Sequence, residues 1–161
     1  MSKIKNVFVS HLHKDDAHVD NLTSLISKSG YNMRNSSIRA KPANQDRLDK
    51  GLVKESTIKR LLRMKMSWAG TVIILIGKET HSRPWVDWEI AEAKRQGKNI
   101  VGVYEQGLKD KVELPKGLEN YSTSIVAWNS ASIIDAINGS PSFQNPDGTP
   151  ASRQDGFHAV C

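Results

Sequence analysis

The stretch Thr71–Gly77, TVIILIG, decides the fold. It is apolar at nearly every position. A strand with one wet face alternates apolar and polar residues; one that does not alternate is buried on both faces, as the central strands of parallel sheets are. Gly77 closes it. A short loop, KETHSRP, then leads into a helical pattern from about Trp85 to Gln96 that Gly97 ends, and a second strand, IVGVY, follows at Ile100–Tyr104. A strand–helix–strand unit with a buried first strand is the building block of a parallel sheet, because parallel neighbours need a crossover between them.

The same alternation extends in both directions. Upstream, Lys5–Ser10 reads as a strand. Lys14–Lys28 reads as a helix with Val19, Leu22 and Ile26 on one face and Gly30 at its C-cap, and Tyr31–Arg34 as a short strand. The polar run NSSIRAKPANQDRLDKG is expected to be a long loop, a place where compact domains often carry function. Leu52–Met66 reads as a helix whose Ile58, Leu61 and Leu62 face the core while Lys59, Arg60 and Arg63 face water. Downstream of Tyr104, a connection containing Pro115 and Gly117 precedes a strand at Ile125–Trp128 and a helix at Ser132–Ile137. The expectation is an α/β fold: a central parallel sheet of about five strands flanked by helices, spanning residues 1–138. A Pro-, Gly- and Ser-rich irregular tail, residues 139–161, is expected to lie partly along it. Ligands of such sheets sit beyond the carboxyl ends of the strands, here Ser10–His11, Asn35–Ser36, Gly77–Lys78 and Tyr104–Glu105.

Composition narrows the function classes. Of 161 residues, 38% are hydrophobic and 25% charged, which suits one globular domain and not a disordered chain. No apolar run reaches the roughly 20 residues of a membrane helix, and the N-terminus lacks the apolar core of a signal peptide. The only cysteine is Cys161, so no intrachain disulfide forms and a cytoplasmic location is expected. The net charge of +6 suits an anionic partner, but the lysines are scattered. No aromatic platform accompanies the basic helix at Lys59–Lys65 and no recognised motif surrounds it, so nucleic acid is not an expected partner.

The polar cluster after the first strand, HLHKDDAH, raises a metal site. His11, His13 and Asp15 have zinc-ligand chemistry and spacing. The arrangement resembles the zinc motif of metallo-β-lactamases, but that motif wants histidine where Asp16 stands, and His81 and His158 are all that remain elsewhere besides His18. No metal is expected. Asp15 and Asp16 are accounted for by the helix dipole, and His13 and His18 as solvated positions at a helix start.

Three local stretches, VFVSH at Val7–His11, NSSI at Asn35–Ile38 and IGKETHSRPWVDWEI at Ile76–Ile90, together with the order of elements, resemble a TIR domain. The likeness covers roughly residues 4 to 137. Within TIR-like proteins it is greatest to the bacterial TIR component of Thoeris anti-phage defence systems, which share the pattern strand-Ile-Gly-x-x-Thr followed by Arg-x-Trp-Val-x-x-Glu-Ile. The resemblance implies a flavodoxin-like three-layer sandwich. It also implies an enzyme that cleaves the bond between nicotinamide and ribose in NAD, with NAD as substrate and no separate cofactor. The product would be ADP-ribose, a cyclic isomer or a conjugate with a small-molecule acceptor. In Thoeris-like systems such a product is a diffusible signal that activates a partner effector. The resemblance implies assembly into a homo-oligomer for activity, and it leaves one alternative, a non-catalytic interaction module.

The resemblance points to Glu89, four residues after Trp85, as the catalytic carboxyl. Helical spacing sets Glu89 at the edge of the face formed by Val86, Ile90 and Ala93, near the loop end of the helix; Glu92 is one turn further away. For substrate contact the candidates are Ser10, His11, Asn35, Ser36, Ser82 and Trp85. Ser10 and His11 end the first strand and either contact ribose or phosphate or act structurally. Asn35 and Ser36 either hold the nucleotide or make turn hydrogen bonds. Ser82 either caps the third helix or meets the ligand. Trp85 is either an aromatic wall or a core residue.

Overall fold

A computed structural model describes residues 5–10, 16–28, 30–35, 55–78, 80 and 84–151. The chain order is β1 (Lys5–Ser10), α1 (Asp16–Ser27), β2 (Tyr31–Asn35), α2 (Glu55–Trp68), β3 (Thr71–Ile76), α3 (Pro84–Arg95), β4 (Asn99–Tyr104), α4 (Lys116–Tyr121), β5 (Ser124–Val126) and α5 (Ser130–Ile137). The five strands form one parallel sheet in the order β2-β1-β3-β4-β5. TVIILI is its central strand, buried at all positions, and pairs with β1 through Val7–Thr71 to Ser10–Ile74 and with β4 through Thr71–Asn99 to Ile76–Tyr104.

The pleat divides the core into two layers. Phe8, Val72, Ile74, Ile76, Ile100 and Tyr104 face α2, α3 and α4, where they meet Ile58, Leu62, Met66, Val86, Ile90 and Leu118. Val7, Val9, Ile73, Leu75, Val101 and Val103 face α1 and α5, where they meet Leu22, Ile26, Ile133 and Ala136. This is the three-layer sandwich that non-alternating central strands require. The expected helix ends hold at their glycines. Gly30 and Gly97 have φ of 86° and 71°, and at Gly97 the pair of bonds Gly97 N to Lys94 O and Lys98 N to Ala93 O closes α3.

Three expectations need correction. On α2 the buried stripe is Ile58, Leu62 and Met66, and Leu61 is only half-buried. The connection after Tyr104 contains α4, a six-residue helix whose Leu118 fills the space above Gly102. Its start at Lys116 follows Pro115, and its few apolar residues give too short a pattern to reveal it in sequence. β5 ends at Val126, two residues short of Trp128. Beyond Gly139 the chain runs beside β5. Ile125 N donates to Ser142 O, Gln144 N donates to Ile125 O, and Gln144 Oε1 accepts from Ala127 N.

α2 and α3 are joined by an ionic knot around Glu92, which is buried although its partners are largely exposed. Arg63 Nε (3.3 Å), Arg95 Nε (3.1 Å) and Gln96 Nε2 (2.8 Å) donate to its carboxylate, and Arg95 adds a second, shorter contact. Burial pushes this carboxyl up, but the hydrogen bonds from Arg95, Gln96 and Arg63 together hold it below the usual range. A carboxyl lowered in the folded state adds stability above its unfolded-state value and loses it as pH falls through its folded-state value. Chemical denaturation between about pH 7 and about pH 3 is therefore expected to show Glu92→Gln less stable than the parent by about 1 kcal/mol at neutral pH, since the arginines are solvent-screened. That gap should close towards the acid end; a pH-independent gap would separate the stability of the knot from its charge.

Candidate active site

In this strand order the chain leaves β1 towards β2 on one side and returns to β3 on the other. The carboxyl ends of β1 and β3 thus flank the topological switch point, where open α/β sheets leave a crevice for ligands. Ser10 is the last residue of β1 and Gly77 follows the last of β3. The turn after β3 is tied down by Thr80, whose Oγ1 accepts from Gly77 N (2.8 Å) and donates to Leu75 O (3.4 Å).

Glu89 reaches this end of the sheet from α3. Ser10 Oγ donates to Glu89 Oε1 at 2.5 Å, and both side chains are fully buried. Ser10 follows Phe8 in the pleat and so faces the α3 side, while Glu89 shares the buried face of α3 with Val86, Ile90 and Ala93. Glutamate is rarely buried completely, and its carboxyl then requires a donor. Glu92, buried too, belongs to the α2–α3 knot and is bonded away from this end.

On the other side of the sheet stands a second carboxyl. Glu105, one residue past β4, falls in the pleat with Val101 and Val103, towards α1 and α5. Its N–H donates to Ile76 O at 2.9 Å, and its carboxyl lies so close over Gly77 that any Cβ there would collide with it. Its Oε2 is 3.8 Å from Nε2 of His18 on α1, whose ring meets Trp128 edge-on with centroids 6.3 Å apart. His18 is thus a partner of the sheet edge and not the solvated helix start expected of it. At the end of β4, burial and then the charge of Glu119 keep the Tyr104 phenol above its ordinary range.

Of the residues singled out in sequence, Ser10 and Glu89 are brought together. Trp85 packs edge-on against Trp88 (6.0 Å, 80°) and lines a cavity of about 160 Å³ with Glu55, Lys59, Pro84 and Trp88, outside the Ser10–Glu89 contact. His11, Ser36 and Ser82 lie outside the described residues, as do His13 and Asp15 of the zinc reading, and of Asn35 only the backbone at the end of β2 is described. Among the described residues no group of three or more His, Cys, Asp or Glu could hold a metal ion, and no helix is long and apolar enough to cross a membrane. A larger cavity of about 620 Å³ opens at the amino ends of the strands, between Asn6, Trp68, Lys98, Asn99 and Asn138. It is remote from both carboxyls and on the side of the sheet that does not form the crevice. Sequence reasoning did not single out His18 or Trp128 as site candidates, and reached Glu105 only as part of the strand end Tyr104–Glu105. Glu105 was accessible by position alone, as the first polar residue after IVGVY; the other two are brought to it only by folding.

The fold and these edges define a doubly wound α/β domain with a buried glutamate at the switch-point end of its sheet. A family model described as "Thoeris protein ThsB, TIR-like domain" matches residues 8–110, and the chain belongs to that family. A Bacillus cereus (strain MSX-D12) protein named "Putative cyclic ADP-D-ribose synthase ThsB1" is 33% identical over 54 residues, a match that spans 34% of this chain and only 28% of that protein. Two solved structures share the fold. A Clostridium botulinum CMP N-glycosidase, BcmB, has a TM-score of 0.52 at 14% identity, covering 83% of this chain and 99% of that one. A conserved protein from Enterococcus faecalis V583 has a TM-score of 0.54 at 10% identity, covering 84% and 98%.

Removing the Ser10 hydroxyl takes the donor from a buried carboxyl oxygen. Ser10→Ala is expected to cost about 1–3 kcal/mol in urea unfolding; a stability within about 0.5 kcal/mol of the parent would mean the contact is not holding α3 to β1.

Proposed function

We propose that this chain cleaves the nicotinamide–ribose bond of NAD and passes the ADP-ribosyl group to an acceptor, making an ADP-ribose-derived signal that activates a partner effector in anti-phage defence. The observation that carries this reading is the fully buried Glu89, held by Ser10 at the crevice end of the sheet in a ThsB-family domain. The name of the Bacillus cereus relative supports the same chemistry.

The reaction suits a single carboxyl. The C1′–N bond breaks with its electron pair going to the pyridinium nitrogen, so nicotinamide departs neutral and needs no proton. Positive charge develops on C1′ and the ring oxygen, as in other glycoside cleavages. Glu89, in a site shielded from water, stabilises that charge electrostatically or accepts a hydrogen bond from a ribose hydroxyl. Ser10 acts as a positioning residue that fixes the carboxyl. The cation is then captured by an oxygen or nitrogen nucleophile, which loses its proton: water gives ADP-ribose, the adenine of the same molecule gives a cyclic isomer, and another small nucleophile gives a conjugate.

Glu89 has no solvent exposure in the single chain. NAD reaches it only after a rearrangement, and assembly into a homo-oligomer is the proposed cause. Specific activity is therefore expected to rise with protein concentration, read as nicotinamide released per molecule over a hundredfold dilution series. A flat profile with full activity would favour a competent monomer. Glu89→Gln is expected to lower nicotinamide release at least about 100-fold, the scale of losing a charge-stabilising group, while circular dichroism stays native. Release at the parent rate would defeat the assignment, and an inactive parent at every concentration would favour the interaction-module reading.

A further inference from the structure

The sheet's carboxyl edge carries two carboxyls of opposite character. Glu89, on the α3 face, is closed to solvent. Glu105, on the α1 face, keeps 18% of its side chain exposed, and its partner His18 keeps 28%. Their placement is built. The Glu105 backbone extends the β3–β4 ladder, its carboxyl rests on Gly77 where an added Cβ would displace it, and His18 Nε2 faces it from α1 at 3.8 Å. Asn21 Nδ2, one turn further along α1, donates to Oε1 of the neighbouring Gln106 at 3.3 Å, so α1 is tied to the β4 end at two points. His18 Nδ1 is buried and has no hydrogen-bond partner; the ring faces Glu105 through Nε2 and meets Trp128 edge-on. Trp128 is half-buried against the α1–α5 layer, two residues past β5.

These three groups match one ligand chemistry. A partly open carboxylate at a strand's carboxyl end accepts hydrogen bonds from vicinal sugar hydroxyls, as acidic residues do for ribose in other α/β nucleotide sites. A neighbouring indole offers a flat apolar surface for a heterocyclic base. Strands lie about 4.8 Å apart, so the carboxyl ends of β1 and β4, two spacings apart, sit about 10 Å from each other across the sheet. A dinucleotide, with its sugars separated by a pyrophosphate, is a ligand of that reach.

We propose that His18, Glu105 and Trp128 form a second subsite, which takes the adenosine half of the substrate. Glu105 accepts from the ribose hydroxyls, Trp128 lies against the purine, and His18 is a positioning residue for the carboxylate. The nicotinamide ribose is left to Glu89, on the other face of the sheet. The assignment rests on the proposed NAD chemistry for its choice of substrate, yet its test needs no turnover.

The full chain would be titrated calorimetrically with ADP-ribose, AMP and nicotinamide mononucleotide. Both adenosine ligands are expected to bind, and Glu105→Gln to weaken them about tenfold or more, the scale of a hydrogen bond to a charged group. Nicotinamide mononucleotide affinity should change less than about twofold. His18→Asn, which leaves the carboxylate in place, should weaken the adenosine ligands by a smaller factor; it also serves if Glu105→Gln fails to fold. Absence of AMP and ADP-ribose binding by the parent, equal affinities of parent and Glu105→Gln, or equal losses for all three ligands would overturn the subsite. Binding that depends on Glu105 in a protein that releases no nicotinamide from NAD would uphold the subsite and refute the cleavage reaction instead.

Discussion

A serine hydroxyl at the end of β1 and a carboxyl on α3, 79 residues apart in sequence, meet at 2.5 Å inside the core. The rest of the site depends on this contact. Burying a carboxyl is costly unless its oxygens are bonded, so α3 must sit at the height and rotation that deliver Glu89 to Ser10. The apolar side chains around it, Val86, Ile90 and Ala93, fix that height by packing on β3 and β4. Trp85 and Trp88 then fall outside the contact, against α2, with Lys59 and Arg63 over the Trp88 ring at 5.7 and 5.4 Å.

The sheet separates two polar environments that the pleat would otherwise leave mixed. Ser10 and Glu105 have opposite parity along their strands, so one faces α3 and the other α1. One carboxyl is sealed and bonded to a neutral hydroxyl; the other keeps 18% of its side chain exposed and faces an imidazole. Gly77, which follows the last residue of β3, leaves room for this arrangement, since a side chain there would displace the Glu105 carboxyl. The buried ionic knot at Glu92 does separate work. It clamps α2 to α3 without touching the sheet edge, and so keeps the helix that carries Glu89 in place from behind.

Much of the architecture was legible because its signals are local. TVIILI could only be a central strand, and Gly30 and Gly97 ended helices where positive φ was needed. Helix α4 was not legible. Six residues give too little periodicity, and what holds it is Leu118 filling the volume over Gly102 together with the close approach of Gly117 to Ile90, both tertiary facts. The stripe on α2 departs from its sequence pattern at Leu61 for a similar reason: the core side of a helix is chosen by its neighbours' shape as well as by its own pattern.

The sequence by itself determined the alternating α/β order, the position of the strand ends and, through its family pattern, Glu89 as the residue of interest. Spacing along one chain encodes which face a side chain takes. It does not encode which residue on another element will meet it. That Glu89 is buried against Ser10, that His18 faces Glu105, and that Trp128 meets the His18 ring were decided only by the tertiary structure. These pairs are separated by four to seven elements and joined by distances that exist only once the sheet has formed.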